Sequence, residues 1–599
     1  MSHYLSDLRH TEFMLFDVLG VDSLYGRPPY DDIDRATAGA ILHGAEHFAR
    51  TRLAPSFDAA EREPILLEDG RVRLPADLRR ALQDHLASDW LRLDLPADPD
   101  GTHIPPSLRW AATEFALGAN PAVAMSTQLV PRVVALLQRE GDEAQRRLAQ
   151  QILDRRWTVT MVLTEPDAGS DVGAATTKAV PQTDGTWRLY GTKRFITWGE
   201  HDAAENIVHL VLARTPSGRG AGSAGLSLFV VPARHTDPVT GEPLERNGVR
   251  ATKLEHKMGI VGTPTCELVF GTDGVPAVGT LLGRENTGLR LMFDIITYVR
   301  MLVGLKATAA LSSGYLNAAA YAATRIQGKR LDDDPPAAPV PIVDHPDVRR
   351  SLLTQKSYAE GARSLVLYTA SLLDTVEAYE AFGHPAGEAQ RRYRLLLPVV
   401  KGWCSENAWR VLGSESLQTF GGSGYLRDYP LEQYVRDTKI DTIYEGTTGI
   451  QALDLLQRRI RRDQGHALHR LLADIEATAA QLNDGHELAV EGRLLLTGVS
   501  CVAGLSKWAC RADLRLAALG ANSLLFALGD LVVGWLLLRA AAAALRLQAD
   551  TRLPDDQRLA ATVATGRWFA RQNLARLSTE LTAVHLLDSS DLNLVWPTA

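Results

Sequence analysis

One carboxylate in this sequence has surroundings that suit proton abstraction. Glu445 lies in residues 443–451, Ile-Tyr-Glu-Gly-Thr-Thr-Gly-Ile-Gln, between an aromatic residue and a glycine. A carboxylate in apolar company has a raised pKa, which makes it a better base near neutral pH. The two threonines that follow can cap the next helix, so a plain capped turn is the competing interpretation of this segment.

Three further segments combine glycines, hydroxyls and aromatics. Residues 161–171 (Met-Val-Leu-Thr-Glu-Pro-Asp-Ala-Gly-Ser-Asp) run from a strand into a turn, whose N–H groups and hydroxyls can hold an oxyanion or the polar edge of a planar ring. Residues 193–199 (Lys-Arg-Phe-Ile-Thr-Trp-Gly) place two aromatics around a hydroxyl, and residues 418–425 (Gln-Thr-Phe-Gly-Gly-Ser-Gly-Tyr) place paired glycines after a helix. Taken singly, each also fits an ordinary capped loop, a core strand edge or a helix C-cap.

Other chemistry-bearing patterns are weak. His43 and His47 have the spacing H-x-x-E-H, which could place two imidazoles on one helix face. No third ligand is evident, so we expect a plain helix with two half-buried histidines and no metal. Residues 220–225 match G-x-G-x-x-G but lead into a strand, which favours a hairpin loop over a dinucleotide site. The four cysteines have no Cys-x-x-Cys spacing and are expected to be reduced and structural.

The elements that must position these segments change character along the chain. Helical periodicity dominates up to about residue 155, as in 36–50, 78–91 and 144–153. Short β-rich segments follow at 157–163, 187–190, 207–213, 226–231 and 266–270, and long helical stretches return at 289–325, 346–381 and 389–412. We therefore predict four domains: an N-terminal helical domain (1–156), a middle β domain (157–285), a helical bundle carrying Glu445 (286–462) and an extra C-terminal helical domain (463–599).

Composition excludes several classes of protein. The 599 residues include 64 Lys and Arg against 71 Asp and Glu, a net charge of −7, which does not suit a nucleic-acid binder. The N-terminus lacks a basic region followed by an apolar one, so no secretory signal is indicated. The most apolar run, 531–538, is too short to span a bilayer. We expect a cytoplasmic protein without an integral membrane span, in which residues 524–545 pack against another helical domain.

Together, in this order and on this domain pattern, the four segments resemble the acyl-CoA dehydrogenase superfamily. The resemblance covers most of residues 157–459 and is strongest to its long bacterial branch, which carries an extra C-terminal helical domain. That branch includes long-chain acyl-CoA dehydrogenases and 3-methylmercaptopropionyl-CoA dehydrogenase. The resemblance implies a mostly α fold with a central barrel-like β domain, and FAD bound between the β domain and the following helices.

The resemblance also implies roles for single residues in FAD binding. Thr164, beside Leu163, would bond the flavin ring, and Ser170, beside Gly169, would contact the pyrophosphate. Phe195 takes the place of an aromatic stacked on the flavin, and Thr197 lies where a family hydroxyl meets N5. Three further sets complete the expected cofactor contacts: Arg325 at the FAD of a neighbouring subunit, Gln418, Gly421 and Gly422 near the adenosine end of that FAD, and Thr447 after the base.

Glu445 matches the family's catalytic base, which removes the pro-R α-proton of an acyl thioester. Its neighbours Tyr444 and Gly446 are expected at the substrate, and the Glu445 backbone N–H is expected to stabilise the thioester oxygen. Some relatives carry the base on an earlier helix, but Val299 at that position cannot act as one, and Arg300 beside it would orient substrate. The implied reaction is α,β-dehydrogenation of a fatty acyl-CoA to trans-2-enoyl-CoA, with electron-transfer flavoprotein as acceptor.

Several alternatives remain open at this point. An acyl-CoA oxidase that passes electrons to O₂, and a flavin-bound DNA-associated relative, share the same fold pattern. A cofactor shared between subunits implies a homo-oligomer, with a dimer favoured. Trp198 and Gly449 depart from the family pattern: Trp198 either narrows the entrance or packs against a neighbouring helix, and Gly449 replaces a glutamine that often contacts the flavin.

Overall fold

The structure is a computed structural model that describes residues 3–95, 103–218, 220–237, 240–271, 274–332, 338–482, 485–550 and 556–595. Its first part is helical, as predicted. The helices are α1 (Leu8–Glu12), α2 (Arg35–Phe48), α3 (Ala59–Arg62), α4 (Ala76–Leu86), α5 (Pro106–Ala119), α6 (Pro121–Thr127), α7 (Val130–Glu140) and α8 (Glu143–Asp154). A two-stranded hairpin, β1 (Leu66–Glu68) and β2 (Arg71–Arg73), interrupts them.

Local sequence explains the ends of these helices. Asp142 and Gln145 form a reciprocal capping box at the start of α8, which satisfies two backbone donors that the helix itself leaves unpaired. The Asn120 side chain caps α6 by accepting from the Val123 N–H. Helix α5 is buried over nearly its whole length, so it forms the centre of this part of the molecule.

The middle of the chain forms an eight-stranded sheet with the order β10-β11-β5-β12-β7-β6-β3, and β4 pairs with β5 and β6. The strands are β3 (Thr158–Val162), β4 (Lys178–Pro181), β5 (Trp187–Thr197), β6 (Ile207–Arg214), β7 (Leu226–Pro232), β10 (Val249–Leu254), β11 (Thr265–Phe270) and β12 (Ala277–Leu282). The separate pair β8 (Arg234–Thr236) and β9 (Pro243–Arg246) completes this part.

The predicted strands correspond to β3, β5, β6, β7 and β11, whereas β4, β8, β9, β10 and β12 were not predicted. Residues 220–225 lie in the hairpin between β6 and β7, as expected of that glycine-rich loop. Strand β5 is longer than predicted. Its first half pairs with β4 and β12 and its second half with β11, so it carries residues 193–197 to the edge where the first segment also ends.

A second helical part follows the sheet. It contains α9 (Gly288–Thr324), α10 (Pro346–Ala381), α11 (Gly387–Val411), α12 (Leu417–Thr419), α13 (Leu431–Lys439) and α14 (Thr448–Asp454). The three long helices agree with the predicted stretches to within a few residues. They pack on one another, and α9 and α10 also pack on α5. Their buried faces carry charged residues as well as apolar ones. Most of the Pro-rich connector predicted at 332–339 lies outside the described residues.

The last part is helical too, with α15 (His466–Gln481), α16 (Ala489–Arg511), α17 (Leu514–Leu519), α18 (Ala521–Gln548), α19 (Gln557–Gln572) and α20 (Leu577–His585). In the described residues, α16 and α18 are long and apolar enough to cross a membrane by length and composition alone. Helix α18, however, packs between α10, α11, α16 and α19, and the Trp403 indole N–H of α11 donates to Asp530 at 2.8 Å. The predicted packing of residues 524–545 against other helices is therefore confirmed.

Candidate active site

The loop between α13 and α14 presents Glu445 in an unusual backbone conformation. A short 3₁₀ turn, Ile440–Thr442, precedes it, and the Thr447 side chain caps α14 by accepting from the Ile450 N–H. Glu445 has φ +55° and Gly446 has φ +88°. A positive φ at a non-glycine residue costs of order 1–3 kcal/mol, so it persists only where surrounding contacts impose it.

Two side chains impose that conformation through main-chain carbonyls. The Lys401 ammonium group donates to the Gly446 carbonyl at 2.7 Å. The Gln451 carboxamide donates to the carbonyls of Glu445 and Gly446, both at 3.2 Å. Lys401 and Gln451 are fully buried. A Cβ at Gly446 would lie 2.8 Å from the Gln451 amide nitrogen, so a larger residue would have to displace that amide as well as adopt a strained backbone angle.

Burial raises the pKa of Glu445 above its usual value, and the charges of Lys401 and Arg300 oppose that rise. The residue keeps partial exposure to solvent. Arg300 is buried on α9, and its guanidinium group donates to the Asp454 carboxylate at 2.8 Å. Val299, the neighbour of Arg300 on α9, is buried and apolar.

Tyr444 belongs to a buried polar network beneath the loop. Its hydroxyl donates to Asp441 Oδ1 at 2.8 Å. Asp441 Oδ1 also accepts a hydrogen bond from the Lys306 ammonium group at 2.7 Å. The Tyr444 hydroxyl also approaches the Met125 sulfur on α6 at 3.9 Å. The network anchors the start of the loop to α6 and α9, while Lys401 and Gln451 anchor its end.

The first and second predicted segments meet at one edge of the sheet. The Arg194 N–H donates to the Thr164 carbonyl at 2.9 Å. The fully buried Lys193 donates to the Leu163 carbonyl at 2.8 Å and pairs with Glu165 at 3.0 Å. Main chain on both sides of Thr164 is therefore tied to β5.

Glu165 in turn holds the next loop. Its carboxylate accepts from the Thr176 N–H at 2.7 Å, the Thr176 hydroxyl at 2.9 Å and the Thr177 N–H at 3.0 Å. Burial alone would raise the pKa of Glu165, but the Lys193 charge and these hydrogen bonds bring it to about 2. Burial also lowers the pKa of Lys193, to about 8, against the attraction of Glu165.

The remaining predicted cofactor residues of these segments leave a surface open to a ligand. Gly169 and Ser170 are exposed, and Thr197 is half-buried. Phe195 has φ +61° and is 54% exposed, with the Arg194 guanidinium group 4.7 Å from its ring centre. An exposed aromatic ring at this edge offers a face on which a planar ring can stack.

Trp198 packs inside the protein and does not narrow an entrance. It is 1% exposed, and its indole N–H donates to the Ala122 carbonyl on α6 at 2.9 Å. Of the two roles considered for Trp198, packing against a helix is therefore the correct one. Because Tyr444 also contacts α6, this short helix links the sheet edge to the Glu445 loop.

A second group of predicted residues lies elsewhere. It consists of Arg325, Gln418, Gly421 and Gly422, and all four are exposed. Phe420 stacks on Tyr321 with ring centroids 4.2 Å apart, which brings the glycine segment to the C-terminal end of α9. Arg325 follows Arg300 by 25 residues, so a straight helix places it about 37 Å from Arg300. The structure thus separates this group from Glu445.

The histidines and cysteines form no obvious metal centre. Among the described residues, no group of three or more His, Cys, Asp or Glu side chains could hold a metal ion. His43 and His47 are exposed on α2, not half-buried as expected, and His43 lies 3.4 Å from Glu12. Cys266, Cys404 and Cys501 are buried free thiols, and Cys510 is exposed.

Sequence reasoning missed three buried residues of this site, namely Lys193, Lys401 and Gln451. No local pattern marked these lysines as buried. The chain contains only 10 Lys among its 64 basic residues, a scarcity that compositional bias explains without reference to function.

The geometry presents a half-buried carboxylate with a raised pKa on a loop that buried side chains hold, and a separate sheet edge with an exposed aromatic ring. Comparison with known proteins names the family of the chain. Residues 160–272 match the acyl-CoA dehydrogenase middle domain, 286–460 the acyl-CoA dehydrogenase C-terminal domain, and 471–594 the acetyl-CoA dehydrogenase C-terminal-like domain. The chain belongs to the acyl-CoA dehydrogenase family and is an oxidoreductase of that type.

Two relatives match over nearly the whole chain. The broad-specificity linear acyl-CoA dehydrogenase FadE5 of Mycobacterium tuberculosis is 44% identical, covering 99% of both chains. The 3-methylmercaptopropionyl-CoA dehydrogenase of Ruegeria pomeroyi is 38% identical, covering 92% of both. The predicted likeness to the long bacterial branch is therefore confirmed.

Solved structures support the fold. A Bacillus anthracis acyl-CoA dehydrogenase complexed with FAD is similar with a TM-score of 0.71 and 19% identity, covering 94% of this chain and 90% of that one. Caenorhabditis elegans ACDH-11 in complex with C11-CoA gives a TM-score of 0.74 at 19% identity, covering 96% of both chains. The predicted order of helical, β, helical and further helical parts is confirmed.

Proposed function

We propose that this acyl-CoA dehydrogenase converts a fatty acyl-CoA to its trans-2-enoyl-CoA, with Glu445 as the catalytic base. The observation that carries the proposal is the Glu445 loop. A partly exposed carboxylate with a raised pKa is held on a backbone that buried side chains fix in place. A base that takes a weakly acidic proton works best when its pKa lies near the working pH and its position is fixed.

FAD is the cofactor that membership of this family assigns to the chain, and the residues at the sheet edge fit it. A Cβ added at Gly169 would meet only the Thr164 methyl group, at 4.0 Å, among the described residues, so the backbone there is open to a ligand. We propose that Leu163, Thr164, Gly169, Ser170, Phe195, Thr197 and Thr447 contact it. When bound, FAD supplies the acceptor for the substrate β-hydride at its N5 atom.

The chain's own groups account for the proton and for the charge that develops on the thioester. The Glu445 carboxylate takes the α-proton. In the described part of the chain, no group accepts a hydrogen bond from the Glu445 backbone N–H, so this donor is available to the thioester oxygen. A preorganised donor of this kind stabilises negative charge as it forms. Arg300, Tyr444 and Gly446 complete the proposed substrate-binding wall.

We propose that two subunits share the cofactor sites. Arg325, Gln418, Gly421 and Gly422 lie too far from Glu445 to serve the same FAD, because α9 separates Arg300 and Arg325 by about 37 Å. Their surroundings expose large apolar side chains, including Tyr425, Leu331 and Ile326. Exposed apolar surface beside a binding segment suits a contact with a second copy. A homodimer in which each subunit completes its partner's site follows.

We also propose the substrate range, the electron acceptor, the cellular location and the domain bounds. The named activity of the Mycobacterium tuberculosis relative supports straight-chain acyl-CoA thioesters of several lengths as substrates, in fatty-acid β-oxidation. Electron-transfer flavoprotein is the proposed acceptor and the cytoplasm the proposed location. The net charge of −7 supports a small-molecule enzyme without a nucleic-acid partner. The domains are proposed at 1–156, 157–285, 286–462 and 463–599.

Substitution of the base tests this function. Glu445→Gln keeps the size of the side chain and removes its basicity, so the variant should stay folded and yellow but bleach with acyl-CoA at least about a thousandfold more slowly. The matched control is Glu476→Gln on α15, an exposed position, which should behave as wild type. Anaerobic bleaching with straight-chain acyl-CoAs from short to long measures both. Near wild-type bleaching by Glu445→Gln refutes the assignment, and peroxide formed in air at the rate of turnover indicates an oxidase.

A further inference from the structure

The main chain of the Glu445 loop is held by hydrogen bonds from two buried side chains. Two peptide carbonyls of the loop, those of Glu445 and Gly446, receive three hydrogen bonds from Lys401 and Gln451. The Gly446 carbonyl uses both of its lone pairs for them. These bonds fix the peptide units on either side of Gly446, and hence the direction in which the Glu445 side chain leaves the backbone.

We propose that Lys401, together with Gln451, is a positioning device for the base: the two side chains hold the loop so that the Glu445 carboxylate and its backbone N–H face the substrate together. This inference rests on the proposed function, since it assumes that Glu445 is the base. It assigns roles to two buried polar residues that are not among the proposed substrate and cofactor contacts.

The backbone conformation supports the inference. With φ of +55°, Glu445 adopts a left-handed geometry that a side chain disfavours. Without the carbonyl contacts, the loop would relax toward ordinary angles and the carboxylate would turn away. A misplacement of about 1 Å at a reacting group costs on the order of a hundredfold in rate, so a device that prevents it has a measurable effect on catalysis.

The charge of Lys401 gives the device a second effect. Its direct partner is a neutral carbonyl, so its charge acts on the carboxylates nearby, which are Asp441, Glu406 and Glu445. The other cations here have direct carboxylate partners: Arg300 pairs with Asp454, although its charge also reaches Glu445, and Lys306 pairs with Asp441. Burial lowers the pKa of Lys401 to about 8, so the residue is mostly protonated near neutral pH. Its charge then favours the ionised, basic form of Glu445.

Variants of Lys401 and Gln451 should therefore differ in the pH dependence of kcat/KM, a difference that a purely structural role would not produce. Lys401→Met keeps the length of the side chain but removes the charge and the bond to Gly446. It should lower kcat roughly tenfold and move the acidic limb of kcat/KM upward by about one pH unit. Gln451→Met removes two hydrogen bonds without changing charge. It should lower kcat comparably and leave the limb in place, and in both variants KM should change less than about threefold.

The experiment uses the holoenzyme, and the FAD content and melting temperature of every variant are checked. Lys401→Gln serves as a second variant if Lys401→Met folds poorly. It retains a donor for the Gly446 carbonyl, so it should keep more of kcat and show the same shift of the limb. Lys439→Met is the matched control, because Lys439 lies over the Trp409 ring at 4.0 Å on a neighbouring helix and is absent from the groups that influence Glu445.

The outcomes separate this inference from the proposed function. Near wild-type turnover in Glu445→Gln would refute the base assignment whatever Lys401 does. With Glu445→Gln inactive, an acidic limb that stays in place or moves down in the folded Lys401 variants overturns the inference alone. Wild-type kcat in Gln451→Met would also overturn it, because the carbonyl contacts would then have no positioning role.

Discussion

Breaking the ion pair between Lys193 and Glu165, which lies beneath the Thr164 turn, should weaken FAD binding. Lys193 is fully buried and joins the Leu163 carbonyl to the Glu165 carboxylate. Lys193→Met keeps the volume and removes the charge. It leaves Glu165 buried, held by hydrogen bonds from Thr176 and Thr177 but without its cation. The turn that we propose for the flavin is then held on one side only.

The magnitude follows from the cost of a broken buried pair. Removing one partner costs about 3–5 kcal/mol because the other charge is left uncompensated. Three hydrogen bonds to Glu165 remain, so the low end, about 3 kcal/mol, applies. If that cost falls on the FAD-bound conformation, the dissociation constant for FAD rises by up to about a hundredfold, since 1.4 kcal/mol is tenfold. Lys193→Met combined with Glu165→Gln removes both charges and should recover part of the loss.

The assay is titration of FAD into protein stripped of cofactor, followed by quenching of flavin fluorescence. Lys178→Met is the control, since Lys178 is an exposed residue on β4 of the same sheet. The reasoning fails if Lys193→Met binds FAD within about twofold of wild type while remaining folded. It fails equally if the double variant loses as much affinity as the sum of the single ones, because the two residues would then be uncoupled.

Three other expectations can be measured directly. Activity should rise with pH through the pKa of Glu445, which burial raises, and an acidic limb at or below the ordinary glutamate value would contradict this. Asp374 accepts a hydrogen bond from the Ser107 N–H, and burial raises the pKa of Asp374 to about 7. Unfolding releases its proton between about pH 4 and 7, so the melting temperature should fall over that range, and fall less in Asp374→Asn. Gly529→Ala places a Cβ against the Trp403 ring and should cost about 1–3 kcal/mol, seen as a lower melting temperature.

The predictability of the fold depended on the length and exposure of each element. Long helices such as α9 and α10 were predicted to within a few residues, because long Ala- and Leu-rich segments strongly favour helix. Strands β4 and β10 were missed. Their alternating or mostly exposed residues gave no continuous apolar run. Such strands exist because their neighbours in the sheet supply hydrogen-bond partners, which a local pattern does not show.

For the site, the sequence indicated which residue types could act, whereas the structure was needed to show what those residues contact. The sequence offered Glu445 as an isolated carboxylate and Phe195 as an aromatic beside a hydroxyl, and no finding contradicts either proposed role. It left Trp198 open between two roles, which the hydrogen bond to Ala122 decided. It did not indicate Lys401 at all, because a lysine in the middle of a helix reads as a solvent-exposed residue.

The sequence alone determined the order of the parts, the four chemistry-bearing segments and the resemblance to the family, because these depend on residues close together in the chain. Only the tertiary structure decided which lysines are buried, how the Glu445 backbone is held, and that Arg325 lies far from the base. Most of the contacts behind those properties join groups far apart in the chain, as Lys401 with Gly446 over 45 residues and Lys306 with Asp441 over 135. Burial makes their charges and hydrogen bonds strong, and a buried polar group must find a partner wherever the fold brings one.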